Sequence, residues 1–235
     1  MAAPLVVILA GGAGTRIRHL LPDLPKPLAP VAGRPFLEWV IRYLRKQGVA
    51  RIMLSAGYQS EKLTKFAQSA GVDCVAESQP LGTGGGFLHA LAAAGDKDSD
   101  VLACNGDSLV LADLAPLWSS LEDGNLDGAL LGVRVPDASR FGTLKTDEHS
   151  RLLGFSEKRP GAGLVNAGVY LFRRAALTHF PPMRPLSFEY DVFPSLVAKN
   201  VRIKVVACDS HFLDIGTEET LMQADEFIRN NMEWF

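Results

Sequence analysis

Cysteine is scarce in this chain: Cys74, Cys104 and Cys208 are an odd set, each in or beside an apolar run. That argues against a disulfide scaffold or a catalytic thiol and leaves buried free thiols as the expectation. The five histidines show no metal-ligand spacing, so a His/Cys zinc site is not indicated. No apolar run approaches the length of a bilayer-spanning helix. Leu5 to Ala10 is too short for a secretory leader and has no basic region before it. No membrane partner and cytoplasmic residence are therefore expected. A formal net charge of -2 leaves no basic excess for general nucleic-acid binding. There is no internal repeat and no disordered linker, and 235 residues suit one domain spanning 1–235.

Glycine, by contrast, is concentrated in two places. Five apolar residues at positions 5 to 9 read as a buried parallel strand, stopped by Gly11, Gly12 and Gly14. A backbone without Cβ atoms can curl around an anion and direct its N–H groups at it. Arg16, Arg18 and Lys26 surround this turn, which has no structural need for three cations. No Gly-Lys-Ser/Thr follows, so it is not a Walker loop; a tight turn without a ligand is the competing reading. The second concentration is residues 78 to 86.

Beyond the first turn, the periodicity predicts helices over residues 35 to 47, 60 to 69, 87 to 94, 114 to 121, 188 to 199 and 218 to 229, with a short one at 173 to 179. It predicts strands over 51 to 55, 72 to 77, 98 to 104, 127 to 135, 164 to 172 and 202 to 208. Thr217 is a candidate cap for the last helix. Strand and helix alternate, which calls for a parallel, doubly wound sheet. Residues 141 to 146 and 151 to 155 resemble a hairpin and suggest a small lobe beside that sheet. Phe227, Met232 and Trp234 either join two copies or pack back on the sheet, leaving monomer or homodimer open.

Ligands of open parallel sheets bind outside the carboxyl ends of strands, so the loops at 11 to 16, 78 to 86 and 105 to 107 would share one crevice. Asp107 and Asp214 each stand at a strand end, where they could hold one hard divalent cation with phosphate oxygens and water. Turn and cap roles are the alternatives. A phosphate loop, a lysine and two carboxylates suggest phosphoryl or nucleotidyl transfer by charge neutralisation, without a serine or cysteine nucleophile. Glu157 could accept from sugar hydroxyls and Lys158 meet a substrate phosphate. Gly142 and Asn166 could add a close backbone approach and an amide hydrogen bond.

Six ordered motifs carry a resemblance over essentially the whole chain. They are Leu9 to Arg16 with Pro25-Lys26-Pro27, Pro80 to Gly84, Asn105 to Asp107, Phe155 to Lys158, Asn166 to Tyr170 and Asp214 to Thr217. The sequence resembles the sugar-phosphate nucleotidyltransferase family. That resemblance implies a Rossmann-like three-layer α/β/α fold with a mixed, mostly parallel central sheet, the nucleotide-diphospho-sugar transferase fold, and a small β-rich sugar-side lobe. Residues 1–110 would mainly bind nucleotide and 111–235 mainly sugar phosphate.

The implied chemistry is attack of a sugar 1-phosphate on a nucleoside triphosphate, with Mg²⁺. Arg16, Lys26 and Asp107 would be catalytic. Leu9, Ala10, Gly11, Gly12, Gly14, Thr15, Gly82, Thr83 and Asn105 would hold the nucleotide. Gly142, Glu157, Lys158, Asn166, Glu189 and Asp214 would face the sugar phosphate, and Asp107 with Asp214 would bind the metal. Several segments, among them Ser187 to Asp191, look most like guanylyltransferases acting on a heptose 1-phosphate; uridylyltransferases of N-acetylmuramate 1-phosphate, guanylyltransferases of mannose 1-phosphate, other sugar 1-phosphate nucleotidyltransferases and a noncatalytic nucleotide-sugar-binding regulatory module are the alternatives. GTP is favoured because Glu77 could accept from guanine N1–H and N2–H₂ together. A plain strand-end charge, or Gln79 in that role, is the competing reading.

Overall fold

The computed structural model describes residues 4–122, 124–156 and 160–235. The first half runs β1 (Leu5–Ala10), the two-residue pair β2 (Pro30–Val31) and β3 (Arg34–Pro35), α1 (Phe36–Lys46), β4 (Arg51–Ala56), α2 (Ser60–Ala70), β5 (Asp73–Ala76), α3 (Thr83–Ala94), β6 (Val101–Asn105) and β7 (Ser108–Val110). The second half runs α4 (Ala115–Ser119), β8 (Gly128–Val135), β9 (Thr143–Thr146), β10 (Leu152–Ser156), β11 (Gly163–Phe172), α5 (Phe193–Ala198), β12 (Ile203–Cys208), β13 (Phe212–Asp214) and α6 (Glu218–Arg229).

Among the described residues the main sheet has nine strands. β5, β4, β1 and β6 form a parallel block, β11 joins β6 and β8 antiparallel, and β12 closes the far side parallel to β8. The mixed, mostly parallel α/β architecture is the one expected. β1 is apolar throughout because both of its faces are covered. Val6, Ile8 and Ala10 pack with α1, α2, α4 and α6, whereas Leu5 and Val7 face α3 and α5. The second face is aromatic: Phe87, Tyr170, Phe172, Phe180, Phe188 and Phe193 interlock, with Tyr170 and Phe188 ring centroids 4.9 Å apart. Thr217 caps α6 by accepting from Thr220 N–H. Trp234 and Phe235 pack back against Tyr43 and Trp39 of α1.

Three local expectations change. The helix expected from residue 87 begins at Thr83, so Gly84, Gly85 and Gly86 lie in its first turn. Residues 188 to 199 are not one α-helix: a π-turn at Phe188–Val192 precedes α5. Pro194 in the first turn of α5 has no N–H to continue the ladder, which is where the wider turn is used. The β9–β10 hairpin extends the main sheet through Thr143 paired with Val165, instead of standing apart from it.

Candidate functional site

The turn after β1 is held from outside so that its inner surface stays open. Tyr58 N–H donates to Gly11 O at 3.1 Å, and a Cβ on Gly57 would sit 2.5 Å from that oxygen, so glycine is required where β1 and β4 end. Gly14 takes φ +58° and accepts from the N–H of Ile17, whose side chain is buried and anchors the turn. Arg18 donates to Ala13 O at 3.0 Å and lies 4.5 Å over the Tyr58 ring, so this cation is a brace for the turn. A Cβ at Gly12 would meet nothing within 4 Å. Thr15 and Arg16 are exposed, and the Arg16 side chain has no hydrogen bond or ion pair among the described residues.

Lys26 is not the surface cation that its place at the mouth suggests: its side chain is 12% exposed and its Nζ lies 2.7 Å from Asp107 Oδ2. The strands β7 and β13 bring the second carboxylate there. They pair antiparallel with Ser108 opposite Asp214, and Ile215 N–H donates to Asp107 O at 3.0 Å. Asp214 Oδ1 accepts from Gly216 N–H at 2.8 Å. A Cβ on Gly216 would meet that oxygen at 2.4 Å and Lys26 Nζ at 3.3 Å, so glycine lets the three groups converge. Burial, then the Asp107 charge, push the Asp214 carboxyl above the usual range, and Lys26 opposes them. Two mutually repelling carboxylates around one ammonium suit a site that gains positive charge. No group of three or more His, Cys, Asp or Glu placed to hold a metal ion occurs among the described residues. Asp107 and Asp214 are the two carboxylates that could hold a hard cation here, with phosphate and water oxygens completing its shell.

A cavity of about 580 Å³ opens beside this centre, lined by Leu9, Gly11, Gly12, Tyr58, Glu77, Gly82, Thr83, Asn105 and Asp107 among others. A cleft of about 90 Å³ adjoins it, sharing Leu9, Gly12 and Asp107 and adding Ala10, Gly14 and Lys26. Another cavity of about 580 Å³ lies between α1 and α2, away from these groups. Its cations are already engaged, Arg42 with Glu38 at 3.2 Å and Arg45 with Ala70 O at 2.8 Å.

The second glycine-rich segment is not a phosphate cradle. Gly84 and Gly85 N–H both donate to Leu186 O, and Thr83 Oγ1 accepts from Phe188 N–H at 2.9 Å, so the residue 186–188 loop occupies the start of α3. Added Cβ atoms would strike Val192 and Leu186 from Gly84, and Leu81 and Arg184 from Gly85. From Gly86 the Cβ would lie 2.5 Å from Glu77 Oε1. Glu77 itself accepts from Ser55 Oγ at 3.2 Å and from Leu81 N–H at 3.0 Å.

On the side of β11, Asn166 donates to Tyr170 OH at 2.7 Å and to Glu189 Oε1 at 3.0 Å, while its Oδ1 accepts from Gly168 N–H. Burial, with the Glu189 charge second, raises the Tyr170 hydroxyl far above its ordinary value. Gly168 takes φ +75°, and a Cβ there would overlap the Asn105 amide, which ties Asn105 to the same strand. Gly142 has only Ser156 O nearby. Glu157 and Lys158 lie outside the described residues. Arg140 escaped the sequence reading: it donates to Thr217 Oγ1 at 3.2 Å and its charge reaches Asp214. No periodicity or motif marks such a loop arginine.

A family model described as nucleotidyl transferase matches residues 5–231. The mannose-1-phosphate guanylyltransferase of Mycobacterium tuberculosis is 36% identical over 226 residues, covering 92% of this chain and 62% of that protein, so this chain spans less than two thirds of that relative. The D-glycero-alpha-D-manno-heptose 1-phosphate guanylyltransferase of Campylobacter jejuni is 32% identical over 220 residues, covering 91% of this chain and 95% of that protein. The crystal structure of HddC from Yersinia pseudotuberculosis complexed with GMP-PN is similar at a TM-score of 0.82 and 34% identity, covering 95% of this chain and 98% of that one.

Proposed function

The chain belongs to the nucleotidyl transferase family, and from that premise we propose that it transfers GMP from GTP to D-glycero-alpha-D-manno-heptose 1-phosphate in the cytoplasm, giving GDP-D-glycero-alpha-D-manno-heptose and pyrophosphate. The observation that carries this reading is the convergence of Lys26, Asp107 and Asp214 beside a nucleotide-sized cavity under an open glycine turn. An oxygen of the sugar phosphate forms the new bond to the α-phosphorus, and the bond from that phosphorus to the oxygen bridging to the β-phosphate breaks. Lys26 offsets charge on the reacting phosphate, while Arg16 and the N–H groups of the turn grip the departing phosphates. Mg²⁺ held by Asp107 and Asp214 would supply further positive charge to the phosphate oxygens. Asn166, Glu189, Gly142, Glu157 and Lys158 orient the sugar phosphate.

Glu77 reads the base by accepting from guanine N1–H and N2–H₂. Gln79, the rival for that role, is exposed, whereas the Glu77 carboxylate is braced by two donors. Mannose 1-phosphate is the second acceptor to consider, because a mannose-1-phosphate guanylyltransferase shares 36% identity with this chain. Pyrophosphate release over four nucleoside triphosphates, each with heptose, mannose and N-acetylmuramate 1-phosphates, tests both. GTP with the heptose phosphate is expected to turn over best; a UTP-dependent optimum would sink the guanine assignment, and one with mannose phosphate would shift the acceptor.

A further inference from the structure

Ser55 is one of three polar or charged residues that are buried among the described ones, at 1% exposure on β4. Its hydroxyl is directed at Glu77 Oε1. The same oxygen lies against two glycines from different elements: a Cβ would reach it at 2.9 Å from Gly11 and at 2.5 Å from Gly86, and the Gly86 Cβ would also be 2.7 Å from Ser55 Oγ. The other carboxylate oxygen takes Leu81 N–H. Thus β4, the turn after β1 and the first turn of α3 enclose one carboxylate that lines the cavity. Glycine inside a helix costs about 1 kcal/mol against alanine. At position 86 the nearest atoms that an alanine methyl would meet are the Glu77 carboxyl and the Ser55 hydroxyl.

We propose that Ser55 and Gly86 form a lock that fixes the Glu77 carboxylate on the cavity floor, and that this lock, rather than the carboxylate alone, sets the choice of base. The inference rests on the guanine reading above. A carboxylate accepts two adjacent N–H donors only when its plane faces them as a fork. Each oxygen has spent one acceptor site on the protein and keeps another for the ligand. Ser55 is therefore a positioning residue, and Gly86 supplies the space in which the fork lies. A guanine edge fits it; inosine offers one of the two donors, and uracil offers a single N–H between carbonyls that the carboxylate repels.

Calorimetric binding of GTP, ITP and UTP to the wild type and to Ser55→Ala, Gly86→Ala and Glu77→Gln tests this without reference to the sugar. Ser55→Ala and Gly86→Ala are expected to lower the GTP-to-UTP affinity ratio by about tenfold, since a hydrogen bond to a charged group is at stake. UTP affinity should hold and the GTP-to-ITP ratio should fall in parallel, while a modest fall in Tm accompanies Gly86→Ala, whose methyl displaces the Glu77 carboxyl and the Ser55 hydroxyl. A merely structural role would move Tm and all three nucleotides together. Unchanged ratios in Ser55→Ala and Gly86→Ala, with a collapsed ratio in Glu77→Gln, would overturn the lock and leave the guanine reading standing. An unchanged ratio in Glu77→Gln would overturn both. Should Gly86→Ala not fold, Ser55→Ala decides by itself.

Discussion

Residues 11–14 and residues 82–86 are both dense in glycine, and both border the same cavity. In the first, Gly12 faces open space and its turn is braced from behind by Arg18 and Tyr58. In the second, the missing Cβ atoms are replaced by protein: Leu186 against Gly82 and Gly84, Arg184 against Gly85, and Glu77 against Gly86. The first segment leaves open space at Gly12 alone, since Gly11 lies against Glu77 and Gly14 against Lys26, whereas Gly82, Gly84, Gly85 and Gly86 are all filled by the chain itself. Glycine content alone does not distinguish a phosphate loop from a tightly packed helix start; what fills the vacated volume does.

Four substitutions put this contrast at risk. Lys26→Ala, beside the open turn, should lower kcat for pyrophosphate release by about a thousandfold, and near-normal turnover would detach the first segment from the reaction. Gly82→Ala sets a methyl 2.5 Å from Leu186 O at φ +75°; a loss of about 3 kcal/mol in urea unfolding is expected, and a neutral result would break the packed half of the contrast. Asp214→Asn should abolish turnover yet raise Tm by about 2 °C. The sign follows from the raised carboxyl: the folded state binds this proton more readily than the unfolded chain, so the ionised form opposes folding above the unfolded pKa, and the opposition fades as pH falls through the folded one. A lower Tm would show that Asp214 supports the fold. Gly12→Ala should leave stability within about 0.5 kcal/mol while weakening nucleotide binding in calorimetry, and unaltered binding would argue that the open turn holds no phosphate.

Local signals in the sequence were strong where one element decides the outcome. β1 is a run buried on both faces, α1 ends at a glycine with φ +81°, and Thr217 caps α6, all readable from short spacings. The start of α3 was not, because three glycines look like a loop until Leu186, more than a hundred residues later, supplies a carbonyl to their N–H groups. Nor was the burial of Lys26, which depends on Asp107, nor the closeness of Asp214, which depends on two three-residue strands too short to have a periodicity. Motif order named those residues through resemblance; their distances come from long-range pairing. Ser55 reads as an ordinary polar break in an apolar strand until the Glu77 carboxylate is seen against it.

The β7–β13 ladder also has a consequence in time. Phe212 to Asp214 pair with Ser108 to Val110 across about a hundred intervening residues, and chains emerge from the ribosome from the N-terminal end, at about 5–20 residues per second. The glycine turn and the Glu77 floor belong to the portion made first. The second carboxylate arrives seconds later, so a nascent chain that stops short of Asp214 lacks the partner that β13 brings beside Asp107. Long-range strand pairing slows folding, so the juxtaposition of Asp107 and Asp214 waits for β13 to reach β7.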